Sequence, residues 1–378
     1  MPTIGIVAGE ASGDLLGSHL IKSLKQQHPD LQFVGIAGPK MQAEGAVSLF
    51  PMEKLAVRGY FEVLRHLPGL LAIRRQLVKH FSQNPPDIFI GIDAPDFNLG
   101  LERSLKRRGI RTIHYVSPSI WAWRRGRMGK IRRAVSHVLA LFPFEVELYE
   151  KAGVPVTYVG HPLADVLPLE PDNKAARLEL KLPPDKLVIA LLPGSRQSEL
   201  DYMADLFVKT ALEIHRQIQE VHFLVPVISR ETRWKFEDAI RRNEAYALPL
   251  NILFGHAHLA MEAADGVIVA SGTATLEAAL LKRPMVITYR MSRLSWQILR
   301  HMNYLPYVGL PNILAGHAVV PELLQNQATP ERLAETLLQL VHDKQAVESI
   351  RQEFNALHHL LKQNTQEKAA RAVLNCLN

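Results

Sequence analysis

Short apolar runs alternate with longer segments of helical periodicity along most of this chain. Ile4 to Ala8, Gln32 to Ala37, Asp87 to Ile92, Arg111 to Val116, Val135 to Leu141 and Val156 to Val159 have the length and apolar content of buried strands. The stretches between them carry apolar positions three and four apart, as at Leu15, Leu16, Leu20 and Leu24. That order predicts a parallel sheet with crossover helices. After Gly160-His161-Pro162 a charged, turn-rich segment runs to Pro184, and the alternation then resumes. Strands are expected near Val188 to Leu192, His222 to Val225, Ile252 to Phe254, Val267 to Ala270 and Met285 to Thr288. From Pro330 onward the pattern is helical only. The chain reads as α/β, with one Rossmann-like domain over residues 1–163, a second over 164–329, and a helical tail over 330–378 that packs back on the first domain or onto a partner subunit.

Composition narrows the classes. A length of 378 residues with 47% apolar content suits two domains with real cores. The single cysteine, Cys376, forms no intrachain disulfide and belongs to no Cys-rich metal site. The run after Met1-Pro2-Thr3 is short and Glu10 follows at once, so no signal peptide is expected. No apolar window reaches the roughly 18 residues a spanning helix needs. A net charge of +7 asks weakly for an anionic partner: a nucleic acid, a phosphorylated substrate or a lipid surface.

The candidate chemistry gathers at strand ends, where open parallel sheets bind ligands. Two such sheets facing across a cleft would bring those ends together. Leu191-Leu192-Pro193-Gly194-Ser195-Arg196-Gln197-Ser198-Glu199 reads as strand, tight loop and helix, with Ser195 or Ser198 as the cap and unpaired N–H groups suited to a diphosphate. An ordinary strand-to-helix connection explains it equally well. Ser271-Gly272-Thr273-Ala274-Thr275-Leu276-Glu277 repeats the layout after Val267 to Ala270, and Glu277 is placed to accept two ribose hydroxyls. The plain alternative is a capping box. On the other domain, Ile90-Gly91-Ile92-Asp93-Ala94-Pro95-Asp96 puts two carboxylates past a buried strand. Asp93 is the candidate general base, because apolar neighbours raise a carboxyl pKa toward the working range, and Asp96 is expected as a helix cap. His256 and His258 stand too close in sequence to share a helix face, and none of the 16 histidines has metal-ligand spacing, so no metal and no cofactor are expected. Ser12 and Ser195 lack a His and acid pairing for nucleophilic catalysis.

Two segments bear on the substrate. Tyr60 to Arg75 is apolar on nearly all faces, is interrupted by Pro68-Gly69 and carries Arg65, Arg74 and Arg75. It reads as a core helix or as an interfacial helix, whose membrane contact would be Phe61, Val63, Leu64, Leu67, Leu70 and Leu71. Trp121 and Trp123 lead into a basic run from Arg124 to Arg133, suited to bases, to lipid headgroups or to a sugar phosphate.

Taken together, these motifs resemble the lipid-A-disaccharide synthase family, bacterial glycosyltransferases of the GT-B type. The resemblance rests on Ala8 to Asp14, Gly91 to Phe97, Tyr115 to Ser119 with Trp121-Ala122-Trp123, Leu192 to Arg196 with Glu199, Ser271 to Glu277, and Leu310-Pro311-Asn312. It implies transfer of 2,3-diacylglucosamine from UDP to the 6-hydroxyl of 2,3-diacylglucosamine 1-phosphate, with inversion and without metal. Carried over by motif, Asp93 is the general base and Arg196 the second catalytic residue. Gly194, Ser195, Arg196, Glu199, Ser271, Gly272, Thr273, Thr275, Glu277 and Asn312 hold the UDP-sugar, and Glu10, Ser12 and Gly13 join Asp93 on the acceptor side. The resemblance also implies a peripheral protein at the cytoplasmic face of the inner membrane, on an anionic surface, and a homodimer exchanging its C-terminal helices. The rivals are a UDP-N-acetylglucosamine epimerase on the same plan, separated by acceptor dependence, and a nucleic-acid-binding protein using Trp121 and Trp123. The second leaves both glycine-hydroxyl loops unexplained, and no nucleic-acid partner is expected.

Overall fold

The computed structural model describes residues 1–55, 60–118, 125–293, 295–297 and 306–377, without the side chains of 60–66 and 125. The chain divides into two compact units, Met1–Asp165 with Leu361–Asn378, and Val166–Leu360. In the first, β1 (Thr3–Ala8), β2 (Gln32–Ile36), β3 (Ala46–Ser48), β4 (Ile88–Ile92), β5 (Arg111–Tyr115), β6 (His137–Ala140) and β7 (Val156–Tyr158) form a seven-stranded sheet in the order β3-β2-β1-β4-β5-β6-β7. All its pairs are parallel. Strands covered by helices on both faces need apolar side chains on both, and Ile4, Ile6, Phe89 and Ile90 are accordingly buried. Leu20, Leu24, Leu77 and Leu101 of the crossover helices close over them.

The second unit repeats the plan. β8 (Leu187–Leu192), β9 (Val221–Val227), β10 (Leu250–Phe254), β11 (Gly266–Ala270), β12 (Met285–Tyr289) and β13 (Glu322–Leu324) form a six-stranded sheet, β10-β9-β8-β11-β12-β13. Its pairs are parallel too. Ile189, Leu191, Phe223, Val225 and Ile268 pack against Phe207 and Phe236 of neighbouring helices. In each sheet the strand order reverses at one place, between β1 and β4 and between β8 and β11. The C-terminal edge at such a switch point is the position where sheets of this kind bind ligands.

Three features differ from the sequence pattern. The helical stretch from Pro330 is not one tail. The Pro330–His342 helix buries Leu333, Ala334 and Leu337 in the second core. The Thr365–Leu377 helix buries Ala369, Ala370 and Val373 in the first core of its own chain, and its start is fixed by Asp165, which accepts from the N–H groups of Asn364 (3.0 Å) and Thr365 (2.7 Å). Pro68 does not break its segment: one helix spans Tyr60–Gln83, with Leu67 to Gly69 exposed on it. Within that helix the half-buried Leu70 packs against the first core together with Ile73 and Leu77. Leu67 is 42% exposed and Leu71 half-buried. The side chains of Phe61, Val63 and Leu64, and Trp121 with Trp123, lie outside the described residues. No helix of the described residues is long and apolar enough to cross a membrane.

Candidate active-site residues at the two sheet switch points

In the first unit the ends of β1 and β4 adjoin. Asp93 follows β4 directly and holds φ +50°, and Ala94 follows at φ +42°. Two consecutive left-handed residues other than glycine are strained, by about 1–3 kcal/mol each, and survive only where the surroundings enforce them. Here the Asp93 N–H donates to the Tyr115 carbonyl at 2.9 Å. The Asn98 side-chain amide donates to the Asp93 carbonyl at 2.8 Å and to that of Ile92 at 3.2 Å. Pro95 then opens the Pro95–Lys106 helix with its φ already set. The turn also needs Gly9, since a Cβ there would lie 2.7 Å from the Ala94 Cβ. Burial raises the Asp93 carboxyl above the ordinary range; the Ala94 N–H opposes this, Glu10 adds to it, and His114 opposes it. Glu10 and Asp93 are thus close enough to interact. Ser12 is exposed in the first turn of the Ala11–Gln27 helix, and Gly13 lies buried under Ala8 and Ile92. Asp14 takes a structural part: its carboxylate accepts from the N–H groups of Lys40 and Met41, both at 3.0 Å. Asp96 is not the helix cap. It stands in the first turn, exposed, and accepts from Arg127 at 2.7 Å.

In the second unit the loop after β8 is occupied from within. Neither Ser195 nor Ser198 caps the Gln197–Gln217 helix. Glu199 does, by accepting from the N–H groups of Ser195 (3.0 Å) and Arg196 (3.1 Å). The two N–H donors expected to face a diphosphate hold this carboxylate in the structure. Gly194, at φ +125°, leaves the room Glu199 needs, since a Cβ would come within 2.7 Å of its Oε2. The Arg196 guanidinium, 3.7 Å from Glu199 Oε1, remains 71% exposed.

The loop after β11 stays open. Gly272 caps the Thr273–Leu280 helix with no side-chain hydrogen bond, so the capping box does not form. Gly272 and Thr273 are exposed, nothing lies within 4 Å of where a Gly272 Cβ would stand, and the leading N–H groups of a helix have no intrahelical acceptor. Ser271 and Thr275 face inward: the Ser271 hydroxyl donates to the Val308 carbonyl at 3.0 Å and the Thr275 hydroxyl to that of Gly272 at 2.7 Å. The Asn312 side chain is likewise engaged within the fold. It is fully buried; its amide donates to the Val320 carbonyl and to Glu322 (2.9 Å each), and its oxygen accepts from the N–H groups of Val319 (2.8 Å) and Val320 (3.0 Å). No hydrogen-bonding capacity is left for a nucleotide. Glu322, which no local pattern marks, accepts in turn from Val308 and Gly309, so this web holds the segment beside the open helix start. Glu277 is half-buried, and its Oε2 lies 2.9 Å from His258 Nε2. That bond raises the His258 pKa. Among the described residues no group of three or more His, Cys, Asp or Glu side chains is arranged around a metal.

Two Rossmann-like units, each an open parallel sheet with a single switch point, make the GT-B type of fold. Over nearly its whole length the chain matches a family model: the lipid-A-disaccharide synthetase model covers residues 4–375, and the chain belongs to that family. The lipid-A-disaccharide synthase of Methylobacillus flagellatus is 69% identical over 374 residues, covering 99% of each chain. Among solved structures the fold is similar to UDP-GlcNAc 2-epimerase from Neisseria meningitidis bound to UDP-GlcNAc, with TM-score 0.64, 12% identity and 99% of each chain covered. It is also similar to a glycosyltransferase from Rickettsia africae, with TM-score 0.58, 12% identity and 100% and 97% covered. The chain is a glycosyltransferase of lipid A biosynthesis.

Proposed function

We propose that the enzyme transfers 2,3-diacylglucosamine from UDP to the 6-hydroxyl of 2,3-diacylglucosamine 1-phosphate, releasing UDP and forming the β-linked disaccharide. The observation that carries the reaction is Asp93, a partly desolvated carboxyl held in a strained turn at the β1/β4 switch point. Asp93 takes the proton of the acceptor hydroxyl while that oxygen attacks the anomeric carbon and the bond to UDP breaks. A single displacement of this kind inverts the anomeric centre. In the second unit the N–H groups that open the Thr273–Leu280 helix take the diphosphate, the exposed Arg196 guanidinium adds charge as the UDP departs, and Glu277 accepts from the ribose hydroxyls. Glu199 acts one step back, as the internal anion that shapes the Arg196 loop. The acyl chains of both substrates call for a peripheral protein at the cytoplasmic face of the inner membrane, with Leu67 on the exposed face of the Tyr60–Gln83 helix among its contacts. The test is the configuration of the new linkage by NMR. A β product from an α-linked donor supports direct displacement, whereas an α product requires a different mechanism.

A further inference from the structure

Beneath the Asp93 turn lies a set of buried polar groups that this reaction does not use. His114 of β5 and Glu102 of the Pro95–Lys106 helix are both fully buried, with Nδ1 and Oε1 2.7 Å apart. The carboxylate rests directly on β4, since a Cβ at Gly91 would come within 2.2 Å of Glu102 Oε1 and 3.0 Å of the Asn98 Cβ. In the sheet register Gly91 pairs with His114 and Ile92 with Tyr115, the residue whose carbonyl holds the Asp93 N–H. Asn98, one turn before Glu102, holds the carbonyls of Ile92 and Asp93. Side chains from two elements therefore grip the end of β4 and the turn it leads into.

As a purely structural device this arrangement is expensive. Burying an ion pair is often no better for stability than burying apolar groups of the same volume. Glu102 Oε2, His114 Nε2 and Asn98 Oδ1 are moreover buried with no hydrogen-bond partner among the described residues, and each carries a desolvation penalty. Resting on the reading of Asp93 as general base, we propose that His114 and Glu102 are positioning residues, which hold the Asp93 turn and set the pH above which its carboxyl works as a base.

The electrostatics around Asp93 agree. From the β1 loop Glu10 pushes the Asp93 pKa up, as does burial; from the turn itself the Ala94 N–H lowers it; from β5 His114 lowers it. Asp14 is bonded to Lys40 and Met41, and Asp96 to Arg127. Glu102 is raised by its own burial and pulled back by His114. Without His114, burial and Glu10 act on Asp93 opposed only by a backbone N–H. The base then stays protonated to higher pH.

Glu102→Gln tests this. The amide oxygen still accepts from His114 Nδ1, but the imidazole loses its buried carboxylate partner. The acid limb of the kcat/KM profile is expected to move up by about one pH unit, in line with a nearby charge on a carboxyl. Activity on the alkaline plateau should stay within a few-fold of the parent, with the donor KM unchanged. His114→Gln should move the limb in the same direction. A loss that is uniform across pH with the limb unmoved, at intact near-UV circular dichroism, overturns the proposal in favour of simple packing, and so does an unchanged profile. Asp93→Asn separates the two readings: if it stays active, the base assignment falls and this inference with it. If it is inactive while both limbs stay in place, only the inference falls.

Discussion

Gly9→Ala places one methyl group where the structure has least room for it. The new Cβ would stand 2.7 Å from the Ala94 Cβ. Carbon atoms rest at about 3.5–4.0 Å, so one backbone must give by roughly 1 Å. Gly9 is buried and follows directly on β1, a strand paired on both sides, whereas Ala94 sits in the strained turn. The turn should yield, taking Asp93 with it. Overpacking of this kind costs about 1–3 kcal/mol, and a displacement near 1 Å at a reacting group lowers turnover on the order of 100-fold. UDP release under saturating acceptor and a thermal melt read the two effects. Ala94→Gly removes the obstructing methyl and suits φ +42°, so Gly9→Ala with Ala94→Gly should recover most of the turnover. Full activity in the folded single variant, or a double variant no better than the single, would refute the coupling between this contact and the base.

Asp93→Asn and Arg196→Ala should each lower turnover by roughly 100-fold or more at full folding, measured as UDP release. Asn312→Ala should act first on stability, by about 1–3 kcal/mol in a melt, because it strands the buried N–H groups of Val319 and Val320. His258 is raised by its bond to Glu277, so its stabilising contribution is present below its ordinary pKa near 6.5 and fades as pH rises through the raised value. The pair is partly exposed, which keeps the effect under about 1 kcal/mol, and His258→Asn should remove that part of the pH dependence of the melting temperature. Leu67→Glu should weaken binding to vesicles rich in anionic lipid, read by co-sedimentation; unchanged binding would remove this face from the membrane contact.

Eleven of the thirteen described strands were legible because each falls in a short apolar run bounded by glycine, proline or polar turns. β3 and β13 were not, as three residues at a sheet edge carry no periodicity of their own. At the sites, Asp93, Arg196 and the Gly272 loop were visible as polar residues directly after such runs. The acceptors that complete the sites were hidden for one reason: their partners are distant in sequence. Glu102 meets His114, His258 meets Glu277 and Asn312 meets Glu322 only after the strands align; Glu277 and Asn312 are marked by their motifs, whereas Glu102, His114 and Glu322 look in isolation like ordinary helical or strand residues. Glu199 shows the converse. It lies within the recognised motif, yet only the geometry reveals that its carboxylate fills the donors the motif seemed to offer a phosphate.

The account is tested most directly by UDP release from UDP-2,3-diacylglucosamine in detergent with EDTA, with and without 2,3-diacylglucosamine 1-phosphate. Release that depends on the acceptor, together with a disaccharide product, is the predicted result. Release without acceptor would contradict it and point to a hydrolase or epimerase built on the same two sheets.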